Sequence, residues 1–197
     1  MATEHQPGPD VTVVAMGGST RPGSSTEMAV RLAGQAAEDS GARVVYITGR
    51  DLILPIYDTE TEHRSPGAKV LVEVLREAHG VIIASPGYHG GMSGMIKNAL
   101  DYLEDLREDT RPYLHDRAVG CIAVADGWQA TVSTLQQIRQ VAHALRGWPT
   151  PLGAVINTQV TKFAPDGSLE DSASIEQLTT VGEQVLGFAR MRTFNEL

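Results

Sequence analysis

Apolar and polar positions along the chain fall into blocks of two kinds. Residues 11–15 (VTVVA), 43–48 (RVVYIT), 81–84 (VIIA), 118–125 (AVGCIAVA) and 152–156 (LGAVI) are short apolar runs rich in Val, Ile and Ala. Runs of that length bounded by turn residues read as strands buried on both faces. Between them the apolar residues recur at helical spacing. Residues 27–39 carry Ala29, Leu32, Ala33 and Ala36 on one face and end at Ser40-Gly41. Residues 67–78 carry Leu71, Val74, Leu75 and Ala78, and residues 92–106 carry Met92, Met95, Ile96, Ala99, Leu100, Leu103 and Leu106. Two more helical patterns span 130–145 and 172–190, the last with Leu178, Val181, Val185, Leu186 and Ala189 inward. The segment 51–58 (DLILPIYD) is apolar, but Pro55 argues against a regular central strand there.

Strands alternating with helices predict a parallel sheet covered on both faces, and right-handed crossovers leave few topologies. The expectation is an α/β, flavodoxin-like three-layer sandwich with a five-stranded parallel sheet in the order 2-1-3-4-5. One domain would occupy residues 11–197, behind a disordered tail at 1–10. In this topology ligands bind outside the carboxyl ends of strands one and three. Those ends carry GGSTRPGSST and SPGYHGGMSG.

Composition narrows the function classes. Hydrophobic residues are 42% and charged residues 20% of the 197, ordinary for a soluble domain. A net charge of −8 argues against a general nucleic-acid surface. No apolar run approaches the length of a membrane span, and MATEHQPGPD has no signal-peptide core. The His residues show no metal-ligand spacing, and Cys121 is the only cysteine, set in an apolar run. These features are compatible with a cytoplasmic protein and predict no metal site. The serines lack a GxSxG elbow, which speaks against a hydrolase. Asp101, Glu104 and Asp105 read as a solvated helix surface, and Lys97, Asn98 and Asp101 as a polar helix side or a brace at an interface. Trp148 is expected to pack between the fourth helix and the fifth strand.

The stretch 17–26 places glycines, hydroxyls and one guanidinium between a strand and a helix start. N–H groups at a helix N-terminus lack intrahelical partners, and the helix dipole favours an anion there. Ser19, Arg21, Ser24, Ser25 and Thr26 therefore read as a phosphate cradle. The frame resembles a triphosphate loop, but Ser24 stands where the required Lys would be, and the dinucleotide GxGxxG is absent. A single terminal phosphate, as in FMN, suits the donors better. The alternative is a serine-rich turn that only caps the helix. In the second loop Pro86, Gly87, Tyr88, His89, Gly90 and Gly91 combine small residues with one aromatic, so a planar ligand could approach the backbone. Trp128 follows the fourth strand, where it either stacks on such a ring or packs in the core or an interface.

Together the two loops resemble the NADPH-dependent FMN reductases of the flavodoxin-like superfamily. That family's first motif runs roughly G-S-x-R-x-x-S-x-N, matched here by Gly18, Ser19, Arg21 and Ser24, with Thr26 in place of Asn. Its second, roughly P-E-Y-N-x-S-x-P-G-x-L-K-N-A-x-D, is matched by Pro86, Tyr88, Gly94, Lys97, Asn98, Ala99 and Asp101. Gly87, His89, Gly91, Ser93 and Ile96 depart from it. The resemblance also implies flavin-ring contacts from the loop after strand four, here Asp126, Gly127 and Trp128, although this segment (ADGWQ) is less glycine-rich than is usual. The SPxYHG form is similar to the two-component flavin reductase branch. The resemblance implies FMN and NADPH (or NADH) as cofactors, with hydride passing to flavin and no catalytic acid required. Reduced flavin would go to a partner monooxygenase, or its electrons to a quinone, azo compound or ferric complex, in a homodimer or homotetramer. The rival from another class is a non-enzymatic flavodoxin-type electron carrier.

Overall fold

The computed structural model describes residues 11–195. The expected tail at 1–10 lies outside the described residues. The chain runs β1 (Thr12–Gly17), α1 (Ser25–Asp39), β2 (Arg43–Thr48), a 3-10 turn (Gly49–Leu52), α2 (Pro66–Glu77), β3 (Gly80–Tyr88) and β4 (Gly91–Met92). It continues with α3 (Gly94–Asp101), a second 3-10 turn (Tyr102–Leu106), β5 (Ala118–Ala125), α4 (Trp128–Ala144), β6 (Trp148–Pro149), β7 (Ala154–Asn157) and α5 (Ser172–Asn195).

The fold is flavodoxin-like. The parallel sheet is ordered β2-β1-β3-β5-β6, with β7 also on β5 and β4 on β3. Spatially this is the expected 2-1-3-4-5 order, but the sheet holds seven strands and not five. The fifth position is split: β6 pairs with Ala118 and Val119, and β7 with Ile122 to Ala125. Pro149 and Pro151 lack the N–H a continuous ladder needs, and Gly153 lets the chain pass close to Leu135 and the Cys121 carbonyl. The seventh strand comes from the other correction. Ser85 to Tyr88, expected in a loop, extends β3, which then folds back antiparallel onto β4 through Gly87–Met92 and Tyr88–Gly91 pairs. His89 (φ 49°) and Gly90 (φ 88°) form the two-residue turn, both left-handed as a type I′ hairpin requires. This hairpin lies beyond the parallel core of the sheet.

Two apolar layers cover the sheet. Alternate residues of each strand point to opposite faces. Val13, Ala15, Ile82, Ala84, Ile122 and Val124 meet α1 and α5. Val14, Met16, Val81, Ile83, Val119 and Cys121 meet α2, α3 and α4. On the first face α5 crosses α1 tightly, since a Cβ at Gly182 would lie only 2.1 Å from the Ala33 carbonyl oxygen. The third helix is shorter than expected, with residues 102–106 tightened into a 3-10 turn and Met92 moved to β4. The segment after Leu52 is irregular, as Pro55 predicts. Trp148, expected to pack between the fourth helix and the fifth strand, is 57% exposed, and its ring lies beside Phe188 of α5 (ring centroids 6.0 Å apart).

Candidate functional site

Ser24 starts α1. Its Oγ accepts the Glu27 N–H at 3.2 Å and its carbonyl accepts the Met28 N–H at 2.9 Å. The N–H groups of Ser25 and Thr26 belong to the first turn, for which the helix itself has no acceptor. In the preceding loop Ser19 Oγ accepts the Arg21 N–H at 3.2 Å. Both serine oxygens act as acceptors in these bonds, so each keeps its O–H to donate outward. Gly18 (φ 121°) and Gly23 (φ 61°) supply the left-handed turns that wrap the loop around this helix end. Glu27, one turn in, is occupied by Arg31 (3.0 Å) and Thr48 (3.2 Å).

The β3 and β5 ends form the facing wall. Ser85 is fully buried; its Oγ donates to the Pro86 carbonyl and accepts the Ser93 N–H, both at 2.9 Å. Ser93 in turn caps α3. Behind the end of β5, Asn157 Oδ1 accepts the Gly127 N–H and the Gln159 N–H, each at 3.0 Å. Thr158 gives its N–H to the Ala125 carbonyl at 2.9 Å. These bonds stitch the loop after β5 to the end of β7.

Between the walls lies a cleft of about 410 Å³ lined by Ser19, Thr20, Arg21, Ser24, Ser25, Thr26, Pro86, Gly87, Tyr88, Val124, Ala125, Asp126 and Thr158. That volume falls in the roughly 300–1,000 Å³ range of small-molecule sites. Nine of the residues expected from the sequence meet here: Ser19, Arg21, Ser24, Ser25, Thr26, Pro86, Gly87, Tyr88 and Asp126. His89 and Gly90 form the exposed hairpin tip, and Gly127 and Trp128 start α4; none of them lines the cleft. Gly91 does not line it either, and a Cβ there would meet the Gln137 amide at 2.7 Å. Thr20, Val124, Ala125 and Thr158 complete the lining. Val124 and Ala125 were legible only as strand, and Thr158 carries no local signal.

The donor set fits FMN. One end of the cleft offers hydroxyls, first-turn N–H groups and the Arg21 guanidinium, matched to a phosphate. The other offers Pro86, Gly87, Val124 and Ala125, with Tyr88 half exposed at the edge, matched to a flat apolar ring. Among the described residues no group of His, Cys, Asp and Glu is arranged to hold a metal ion.

Residues 11–162 match the family model for NADPH-dependent FMN reductases. An NADPH azoreductase of Bacillus sp. is 35% identical over 86 residues, 43% of this chain and 45% of that protein. The quinone reductase of Escherichia coli is 27% identical over 171 residues, 85% of this chain and 89% of that enzyme. Among solved structures, RosB with bound 8-demethyl-8-formylriboflavin-5'-phosphate superimposes with a TM-score of 0.74 at 15% identity, covering 93% of this chain and 81% of RosB. The protein is an oxidoreductase and belongs to the NADPH-dependent FMN reductase family.

Proposed function

We propose that this cleft takes FMN with its phosphate on the N-terminus of α1 and its ring between Pro86–Tyr88 and Ala125–Asp126, and that the protein oxidises NAD(P)H there. The observation that carries the reading is the convergence of the α1 cradle and the β3 and β5 ends on one cleft. When bound, FMN supplies the redox chemistry by taking a hydride from NAD(P)H. The chain's own work is placement. Ser19, Ser24 and Ser25 donate to the phosphate, Arg21 balances its charge, and Thr26 contributes a first-turn N–H. The β3 end at Pro86 and Gly87 walls one side of the ring, and Tyr88 closes the edge. Helix N-termini and backbone donors stabilise developing negative charge, so no side-chain acid is needed.

The electrons then pass to a small acceptor of the quinone or azo class, as the names of the relatives suggest. Delivery of reduced flavin to a partner monooxygenase is the second outlet. Assembly as a homodimer or homotetramer and a cytoplasmic location complete the proposal. Among the described residues no helix is long and apolar enough to cross a membrane.

Arg21 provides the test. A charge-assisted hydrogen bond contributes roughly 1.5–3 kcal/mol, so Arg21→Ala should weaken FMN about ten- to a hundredfold. Riboflavin, without the phosphate, should bind both proteins alike. Arg21→Lys should recover only part of the loss, because a point charge lacks the fork. Equal FMN affinity in wild type and Arg21→Ala, read by fluorescence titration, removes the cradle. Flavin binding without any NAD(P)H oxidation would instead leave an electron carrier.

A further inference from the structure

Helix α4 presents a stripe to the β3–β4 hairpin. Ala130, Thr134 and Gln137 are spaced four and three apart, so they share one helix face. Two hairpin glycines receive that stripe. A Cβ at Gly87 would lie 2.7 Å from Thr134 Oγ1 and 3.2 Å from the Ala130 carbonyl oxygen. One at Gly91 would lie 2.7 Å from Gln137 Oε1 and 3.0 Å from its Nε2. The Gln137 amide therefore lies across Gly91, and its Oε1 accepts the Met92 N–H at 2.7 Å. Thr134 Oγ1 is buried with no hydrogen-bond partner, so Gln137 supplies the polar tie of the stripe.

The hairpin needs such a tie. Its ladder has two residue pairs, and a ribbon that short has little stability of its own. Its base is fixed by the Ser85–Ser93 bond, and its outer strand by Gln137. Tyr88, on the inner strand, forms the cleft edge.

We propose that Gln137, outside the cleft, is a positioning residue of the ring site: by holding Met92 it sets where Tyr88 and Gly87 stand against the bound ring. The proposal rests on the flavin-reductase reading. It predicts a signature unlike that of Arg21, because riboflavin and FMN share the ring but not the phosphate.

Gln137→Ala should weaken riboflavin and FMN by the same factor, about three- to tenfold, the worth of one hydrogen bond. Amide exchange at Met92 should quicken, and the visible bands of bound flavin should move toward those of free flavin. Gln137→Glu keeps an acceptor oxygen and should restore both affinities. Gln137→Leu, similar in length but without an acceptor, should repeat the loss and serves in place of the alanine variant if that one is unstable. Faster Met92 exchange with unchanged riboflavin affinity would make Gln137 a structural tie only and overturn the proposal. So would unchanged exchange, or a loss confined to FMN. Wild-type protein that binds neither flavin would overturn the flavin-reductase reading itself.

Discussion

The thiol of Cys121 has 0% exposure in the middle of β5, and burial pushes its pKa up to about 12. Reactivity follows the thiolate, so this side chain is inert at neutral pH. The native protein should resist iodoacetamide at pH 8 and label only after unfolding; native labelling at the rate of a free thiol would contradict the burial. The sign of the linkage is fixed as well. Above the ordinary value of 9.0 the unfolded chain loses this proton first, so the group's contribution to stability declines as pH rises from there toward about 12. Gly87 is the residue where packing and site meet most closely. An added Cβ would press on Thr134 Oγ1 (2.7 Å), Ala125 Cβ (2.9 Å) and the Ala130 carbonyl oxygen (3.2 Å). Backbone cannot swing aside as a flexible side-chain end does, so Gly87→Ala should cost about 1–3 kcal/mol. Melting should fall by about 2–4 °C for each kcal/mol lost. An unchanged melting temperature would mean that β3 and α4 separate freely.

Among the elements, α3 does more than its polar side announced. Asn98 is 8% exposed; its Oδ1 accepts the Tyr57 N–H at 2.8 Å and its Nδ2 donates to the Pro55 carbonyl at 2.8 Å. Tyr102 Oη also donates to Pro55, and Arg64 grips Asp105 with two bonds of 2.8 and 2.9 Å. Asp105, in the 3-10 turn that follows α3, is thus part of a clamp on the irregular segment after Leu52 and not a solvated surface residue only. Asn98→Ala leaves a part-buried N–H without its acceptor, a cost of about 1–3 kcal/mol. Limited proteolysis should then cut faster between residues 53 and 64 than in wild type. An unchanged cutting rate would assign the hold on this segment to Tyr102 and Arg64. The strands in the sheet core were legible because apolar runs report burial on both faces directly. The β3–β4 hairpin was not, because Pro86, Gly87, Gly90 and Gly91 look like loop residues when read locally. Their strand pairing depends on α4, which packs against them from far along the chain. The split of the fifth sheet position is hidden in the same way, since the two residues of β6, Trp148 and Pro149, are too few to carry a strand pattern of their own.

At the scale of the whole molecule, the α1 wall of the cleft is legible in the sequence because its residues are contiguous, from Ser19 to Thr26. The opposite wall could be read only in part, because Val124, Ala125 and Thr158 reach it through sheet order. A ligand that spans such walls stabilises the assembled fold over the unfolded chain. FMN at a hundred times its Kd should add about 2.7 kcal/mol of stability. Riboflavin at the same concentration should add less, and Arg21→Ala should erase the difference between the two. Equal stabilisation by FMN and riboflavin in the wild type would detach the phosphate from the cradle.

The bond from Thr158 to the Ala125 carbonyl has a consequence for synthesis. The first cleft residue to leave the ribosome is Ser19 and the last is Thr158, which follows the final strand of the sheet. A nascent chain stalled before β7 carries the whole proposed phosphate cradle but lacks the stitch that closes the far wall. The proposed site thus makes capture of the cofactor a late event in the life of the new chain. Quenching of flavin fluorescence on a series of stalled chains would date the moment at which the sheet is complete.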